Sequence, residues 1–332
     1  MEGASAAQTA VYSRGMQSVS AGSGSSGGRT YSSPHLYDRG VAGVLLIVNP
    51  FASRVRERGL RAVEEVLARA GEVETVLTER RGHATELAAR AADAVVVFGG
   101  DGVVNEVLNG LPDGVPLGAL PGGGTSVFVR ALGLPRDPVA AAGRVAEAIV
   151  SGQTRRIGLG RVEGRRFGFA ASLGFDAATV RRVDALGRTA DGKRPGDLAF
   201  AYELARVLGP RFKAEPVLEI AGHGRAAAAL VANCDPYTYA GAVPLHIAPE
   251  ARFELGLDVV APVRLRASSI PRLASYAVRG RGNAGRVLHA HDVDRIEVVC
   301  DRPLPLQADG EDLGDVEHVV FEAERDAIEV FA

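Results

Sequence analysis

The stretch Val95-Val96-Val97-Phe98-Gly99-Gly100-Asp101-Gly102 constrains this chain most, because a run of apolar, β-branched residues stops abruptly in a glycine-rich turn that carries one carboxylate. The run has the length and composition of a strand covered on both faces. Gly99, Gly100 and Gly102 remove every Cβ where the backbone would approach a ligand, so bare N–H groups can point at phosphate oxygens. A helix after the turn adds its positive end. A tight strand-to-helix connection that binds nothing has the same local signature, and the neighbouring segments decide between the two.

Those neighbours repeat one unit. Val44 to Val48 makes a short buried strand closed by Asn49-Pro50, and Leu60, Val63, Val66 and Leu67 recur at helical spacing between Arg56 and Ala70. Val73 to Thr78 alternates as a second strand, His83 to Ala92 follows as a helix, and Val103 to Asn109 forms another after the glycine turn. This alternation predicts a doubly wound parallel sheet, in which ligands collect at the carboxyl ends of the strands. Asn49, Thr78 and Gly99 to Gly102 all fall on that edge. Leu117 to Leu120 is a fourth strand leading into Pro121-Gly122-Gly123-Gly124-Thr125-Ser126 and the helical Val127 to Leu132, so two glycine loops face one crevice.

Beyond about Gln153 the texture changes. Ile157–Val162, Phe167–Ser172, Val217–Ile220, Ala227–Asn233, Leu257–Val260, Arg295–Val299 and Leu304–Ala308 are short and separated by turns, which predicts a mostly antiparallel sheet or sandwich. One helix interrupts it, with Leu198, Tyr202, Leu204, Ala205 and Leu208 on one face. Residues 1–40 hold nine serines and seven glycines, the composition of a disordered tail.

Composition narrows the partners. With 332 residues and 46% hydrophobic content, the chain can bury two domains, and a net charge of −2 argues against bulk attraction to nucleic acid. Cys234 and Cys300 lack metal spacing, and a reducing cytoplasmic compartment accounts for them without a disulfide. The first forty residues lack a basic start followed by an apolar stretch, so no signal peptide is expected. The longest uncharged stretch, Gly114 to Val129, is broken by five glycines and two prolines, so no transmembrane segment is expected and any membrane role is peripheral.

With these pieces placed, the chain resembles the diacylglycerol kinase catalytic-domain family of lipid kinases, which includes bacterial diacylglycerol kinases and sphingosine kinases. The likeness runs from Val44 to the end through Asn49-Pro50, Thr78 with Gly82-His83-Ala84, Gly99-Gly100-Asp101-Gly102 with Asn105-Glu106, and Pro121 to Gly133. It continues through Ser172-Leu173-Gly174-Phe175-Asp176, Leu257-Asp258-Val259-Val260 and Asp309-Gly310-Glu311. The shorter glycine-aspartate turn is shared with NAD kinases. The resemblance implies an α/β nucleotide-binding domain over 41–153, a β-rich lipid-substrate domain over 154–308, and a segment 309–332 returning to the first domain. It implies phosphoryl transfer from ATP, with Mg2+, to the hydroxyl of diacylglycerol or a related long-chain lipid alcohol at the inner membrane face, with a homodimer left open. A catalytically silent nucleotide- or lipid-binding homologue and a soluble NAD kinase are the alternatives.

By the same likeness Asn49, Thr78, Gly99, Gly100, Asp101, Gly102, Gly123, Gly124, Thr125, Ser126 and Glu311 hold the nucleotide, with Asp101 near the phosphates and their metal. Asp101 is also an expected N-cap of the helix beginning near Val103, and the two roles are compatible. Phosphoryl transfer asks for alignment, charge neutralisation and a group that takes the acceptor hydroxyl's proton. Asp309 matches the family's acidic motif for that base, and Asp309-Gly310 is equally a common hairpin pair. Glu254 and Asp258 match an acidic pair that supports a structural magnesium in some relatives, but Glu254-Leu255 departs from the pattern, leaving plain surface acids as the alternative.

Further residues carry expectations of their own. Phe175, Leu186, Tyr202, Leu208 and Phe212 are candidates for an apolar groove or for core. Arg155-Arg156, Arg165-Arg166 and Arg181-Arg182 are candidates for anionic headgroups or for exposed turns. His289 and His291 fit surface or core polar groups. Two positions depart from the family inside the pocket: Val103 replaces a usual threonine, and Ser126 a usual asparagine.

Overall fold

Strands too apolar to face water on either side set the first half of the molecule. The computed structural model describes residues 43–91, 93–187, 202–204, 206–209, 212–282 and 285–332. The tail expected over 1–40, and Leu198 and Ala205 of the expected helix, lie outside the described residues. β1 (Gly43–Val48), β2 (Glu72–Leu77), β3 (Ala94–Gly99) and β4 (Leu117–Pro121) pair in parallel in the order β2-β1-β3-β4. β3 and β4 are buried along their whole lengths, as strands covered on both faces must be. β2 lies at the edge and carries exposed Glu72 and Glu74, charges that discourage pairing with a foreign strand.

Helices cover this sheet. α1 (Glu57–Leu67) sinks Val63 and Leu67. α2 (His83–Ala88) and α3 (Asp101–Gly110) touch so closely that a Cβ on Gly110 would fall 2.1 Å from the Thr85 carbonyl oxygen. α4 (Val127–Ala131) follows the second glycine loop. α5 (Pro138–Ser151), which hydrophobic periodicity alone passes over, is bounded by local chemistry. The Asp137 carboxylate accepts from Ala140 N at 2.8 Å, Pro138 opens the first turn and Gly152 closes the helix in the left-handed region.

The second half is built from β5 (Arg155–Val162), β6 (Arg165–Phe167), β7 (Ala170–Leu173), α6 (Phe175–Ala185), β8 (Lys213–Ala214), β9 (Leu218–Ile220), β10 (Gly224–Ala226) and β11 (Ala229–Ala232). It continues with β12 (Thr238–Ala240), β13 (Val243–Leu245), β14 (Leu257–Pro262), β15 (Leu265–Arg266), α7 (Ile270–Arg279), β16 (Val287–Val293), β17 (Arg295–Ala308) and β18 (Glu311–Val330). The single strand expected at Phe167–Ser172 is two, parted at Gly168-Phe169, and the two expected at Arg295–Val299 and Leu304–Ala308 are one strand of 14 residues. Gly160 lies opposite Phe167 across β5 and β6, where a Cβ would stand 2.0 Å from the ring, so this glycine makes room for a fully buried aromatic.

β18 joins the halves. Over its 20 residues it pairs antiparallel with β17 and with β5, and Val330 then pairs parallel with Leu117 of β4. The antiparallel order β16-β14-β11-β7-β17-β18 and the parallel order β4-β3-β1-β2 thus form one continuous ladder. One core surrounds the parallel sheet and a second lies within the β-sandwich. Phe331, 2% exposed, donates N–H to Leu117 O at 2.9 Å and packs in the first core. Phe331→Ala should therefore cost about 3–5 kcal/mol in denaturant unfolding, the range for truncating a buried aromatic. A loss below about 1 kcal/mol would show that β18 does not tie the halves together.

Candidate active site

The carboxyl edge of the parallel sheet gathers the candidate residues through backbone geometry. Asn49 N donates to Phe98 O of β3 at 3.0 Å, and Thr78 N donates to Val48 O of β1 at 2.8 Å, so each leaves its strand held by the neighbouring strand of the sheet. The Asn49 side-chain carbonyl accepts from Phe51 N at 3.0 Å and closes the turn made with Pro50. The two glycine loops abut. Gly122 N donates to Gly99 O at 2.7 Å, and a Cβ on Gly122 would stand 2.7 Å from Gly99 Cα. A Cβ on Gly123 would stand 2.9 Å from Gly100 Cα, whereas Gly124 meets nothing within 4 Å and faces open space.

Asp101 has a role different from the expected cap. Gly100 is the N-cap of α3 and has no capping side chain, while Asp101 is the helix's first residue. Its carboxylate accepts from Phe128 N at 3.1 Å, in the first turn of α4, and so staples the first glycine loop to the helix behind the second. Val103 fills space beneath the first loop. A Cβ on Gly99 would lie 2.2 Å from Val103 Cγ1, so this side chain seals the floor of the turn. Ser126 sits at φ +48°, a left-handed conformation that asparagine adopts more readily than serine. Its hydroxyl donates to Gly123 O at 3.3 Å, inside the loop, and the residue is buried.

The second half contributes one turn. Asp309 and Gly310 link β17 to β18 with φ of +49° and +76°, a two-residue hairpin of the primed kind. Unlike a solvated hairpin, Asp309 is only 4% exposed. Oδ1 accepts from Phe169 N at 3.0 Å and Ala170 N at 3.2 Å, and Oδ2 accepts from Gly168 N at 2.6 Å and Asn105 Nδ2 at 2.8 Å. Four donors occupy the four lone-pair sites of a carboxylate. Burial raises its pKa from the ordinary 3.8 to about 6 against the pull of those donors.

Two residues further on, the Glu311 carboxylate meets the glycine turn. Its Oε1 lies 3.4 Å from where a Cβ on Gly102 would stand, and its Oε2 accepts from Arg81 at 3.0 Å and Arg165 at 3.1 Å. Asn105 connects the pair of acids: it donates to Asp309 and accepts from Arg165 at 2.9 Å. Sequence reasoning offers Arg165 only for anionic headgroups, quotes Asn105 only within the family likeness, and passes over Arg81. A buried asparagine on α3, 1% exposed, was the signal, since an amide inside a helix face otherwise apolar needs polar partners.

Asp176 is a further carboxylate of the second half. Its Oδ2 accepts from Ser172 at 2.7 Å, Tyr237 at 2.8 Å and Gln307 at 3.2 Å, while burial pushes its pKa above the usual carboxylate range. Gln307 also accepts from Gly310 N at 2.9 Å, linking this cluster to the Asp309 turn.

Other candidates stand apart from this site. Glu254 pairs with Arg155 at 2.6 Å, whereas Asp258 is fully buried and accepts from His291 Nδ1 at 2.8 Å and Asp292 N at 3.0 Å. The reading of both as surface acids is therefore corrected for Asp258. His289 stacks beside His291 on β16, and the bond that His291 donates to Asp258 raises the His291 pKa. The arginine pairs are not free for headgroups. Arg156 binds Glu329 at 3.0 Å, Arg166 binds Glu324 at 2.7 Å, and Arg181 binds Asp312 at 2.9 Å and Asp315 at 2.6 Å. Of the candidate groove, Phe175 packs edge-on against Phe212 with ring centres 6.3 Å apart, while Leu186 and Tyr202 are exposed.

A parallel sheet with glycine loops at its carboxyl edge and a β-sandwich lending an acidic turn defines the class: a two-domain protein of the NAD kinase and diacylglycerol kinase type. The diacylglycerol kinase catalytic domain model matches residues 43–162, and the YegS C-terminal NAD kinase beta sandwich-like domain model matches residues 170–332. The chain belongs to the diacylglycerol kinase catalytic-domain family. It is 38% identical over 131 residues to a diacylglycerol kinase of Bacillus subtilis (strain 168), covering 37% of this chain and 42% of that protein. It is 33% identical over 162 residues to a diacylglycerol kinase of Mycobacterium tuberculosis (strain CDC 1551 / Oshkosh), covering 47% of this chain and 48% of that protein. The chain thus spans about half or less of the length of these curated relatives. A solved diacylglycerol kinase from Bacillus anthracis str. Sterne shares the fold with a TM-score of 0.64 at 21% identity, over 87% of this chain and 96% of that one.

The buried Asp309 sets a pH dependence with a definite sign. Its folded pKa, about 6, lies above its unfolded value, so between about pH 4 and 6 the folded state holds a proton that the unfolded state has lost. Relative to Asp309→Asn, which cannot titrate, the native protein should lose about 3 kcal/mol of stability across that window and level off above it. Denaturant unfolding at a series of pH values measures this, and a difference that grows with pH would contradict it.

Proposed function

We propose that the chain is a lipid kinase that transfers the γ-phosphoryl group of ATP to the hydroxyl of diacylglycerol or a related long-chain lipid alcohol. The observation that carries the reading is the meeting of the two abutting glycine loops with the Glu311 carboxylate of the second half. The loops fit phosphates: their backbones touch where any Cβ would clash, and Gly124 opens on free space. Magnesium would be carried on the phosphates, with Asp101 as the carboxylate of the turn nearest to them. When bound it would neutralise charge on the transferring phosphoryl group.

The residues divide the remaining work. Asn49, Thr78, Gly99 to Gly102 and Gly123 to Ser126 orient the nucleotide, and Asp101 fixes the two loops relative to each other. Arg81 and Arg165 hold Glu311 at the mouth of the turn. Asp309, expected as the base, has all four lone-pair sites occupied and would have to release a donor to take a proton. We therefore place proton acceptance on Glu311, whose Oε1 faces the turn, and make Asp309 the residue that positions Glu311 through the hairpin and Asn105. The acceptor hydroxyl loses its proton to Glu311 as its oxygen bonds to phosphorus, and the bond to the leaving phosphate oxygen breaks.

The silent-homologue reading draws on Val103 and Ser126, whose side chains seal and brace the loops. Each change removes one neutral hydrogen bond at most, worth roughly 1 kcal/mol, too little to abolish transfer. No helix among the described residues is long and apolar enough to cross a membrane.

Labelled ATP incubated with mixed lipid vesicles and magnesium should transfer label to a lipid hydroxyl. ATP binding without lipid labelling would contradict the proposal, and labelling of NAD in the absence of vesicles would replace it. Glu311→Gln should lower turnover roughly 100-fold or more with the melting temperature preserved. Asp309→Asn should lower stability and turnover together, and a fully stable but inactive Asp309→Asn would return the base to Asp309.

A further inference from the structure

Between Val259 and His291 the chain holds six arginines and no aspartate or glutamate, although the whole protein carries a net charge of −2. The stretch contains α7, an amphipathic helix none of whose residues is fully buried. Leu273, Tyr276 and Ala277 are half-buried on its supported side, while Arg272, Val278 and Arg279 are exposed. Arg266, Arg279, Arg281 and Arg286 are exposed and have no carboxylate partner among the described residues, in contrast to Arg264 at the start of the stretch, which binds Glu215.

α7 touches the β12–β13 hairpin at His246, whose ring pairs with the Asp235 carboxylate at 2.7 Å. His246 N donates to Ala277 O at 2.7 Å, so α7 rests on the end of the β12–β13 hairpin. From Pro236 to Leu245 that hairpin contains no charged residue, and its tip, Ala240 to Val243, is exposed, Val243 by 44%. The tip is anchored from behind: Arg130 of α4 donates to Gly241 O at 3.0 Å and Ala242 O at 3.3 Å, with its guanidinium 3.2 Å from the Tyr239 ring centre. The hairpin is thereby fastened to the helix that starts at the second glycine loop.

A basic, carboxylate-free helix beside an exposed apolar tip with a tyrosine at its base has the chemistry of a bilayer interface. Cationic side chains meet lipid phosphates, and the uncharged tip enters the headgroup boundary. We propose that α7 and the tip of the β12–β13 hairpin are the surface by which the chain docks on an anionic lipid bilayer. The choice of a bilayer over another polyanion rests on the lipid-kinase reading. Docking through the hairpin and Arg130 would set the glycine loops next to the lipid surface.

The test is flotation of the full chain, without ATP, on vesicles of phosphatidylcholine alone and of phosphatidylcholine mixed with phosphatidylglycerol. The chain should float with the mixed vesicles only, and less at high salt. Arg266→Ala, Arg279→Ala and Arg281→Ala should each reduce partitioning roughly 5-fold, and the triple variant roughly 100-fold. Val243→Ser should also reduce it, with the melting temperature unchanged in all variants. A triple variant that floats like the native chain overturns the proposal, as does a native chain that ignores mixed vesicles and instead retains duplex RNA. Turnover on diacylglycerol in neutral detergent micelles separates the two claims. The triple variant should keep that turnover while losing activity on vesicles, whereas a native chain that floats but phosphorylates no lipid would leave docking intact and remove the kinase reading.

Discussion

The buried carboxylate of Asp309 is the constraint on which the architecture turns. It belongs to the hairpin of the second half, yet it accepts from Asn105 on α3 of the first half and from the consecutive backbone N–H groups of Gly168, Phe169 and Ala170, where β6 gives way to β7. An ionised carboxylate with so little exposure survives only when its lone pairs are met. Each donor therefore has to be in place together: α3 must lie under the hairpin, β6 and β7 must part at Gly168, and β17 must end at Ala308. That arrangement delivers Glu311 to the glycine turn. Burial of the Asp309 carboxylate is also what raises its pKa to about 6 against the pull of its four donors.

The parallel sheet and the glycine loops at its carboxyl edge were legible in the sequence because they depend on local signals. Uninterrupted apolar strands at Val44–Val48 and Val95–Phe98, and glycines directly after them, fix both burial and the close approach of backbones. The two glycine loops could be assigned to one crevice for the same reason, although their direct contact depends on β3 and β4 being neighbours. What stayed hidden depends on partners far along the chain. Arg166 finds Glu324, 158 residues on, and Arg181 finds Asp312, 131 residues on, so these arginines look like loose surface charge until the sheet is folded. β18 was hidden by its own composition, since charged residues alternate along a strand whose outer face meets water. Asp258 looked like a surface acid because the partner that meets its buried carboxylate, His291, comes from β16.

Charge in the second half is accordingly sorted into two kinds. Most arginines of β5, β6 and α6 are bound to carboxylates of β18 and its hairpin, where they brace the sandwich. Such pairs contribute modestly to stability where exposed, but they fix geometry around Glu311. The arginines between β15 and β16 have no such partners among the described residues and lie beside an uncharged hairpin. Arg130 is the link between the regions, with one face on the hairpin and its helix beginning at the glycine loop.

The central claim is that the abutting loops receive the nucleotide's phosphates opposite Glu311. A crystal structure of the chain with a non-hydrolysable ATP analogue and magnesium tests it most directly. The account predicts phosphate oxygens within hydrogen-bond reach, about 2.7–3.2 Å, of backbone N–H groups in both loops, with the terminal phosphate on the Glu311 side. A nucleotide bound elsewhere on the molecule, or one held with its phosphates turned away from the loops, would contradict it.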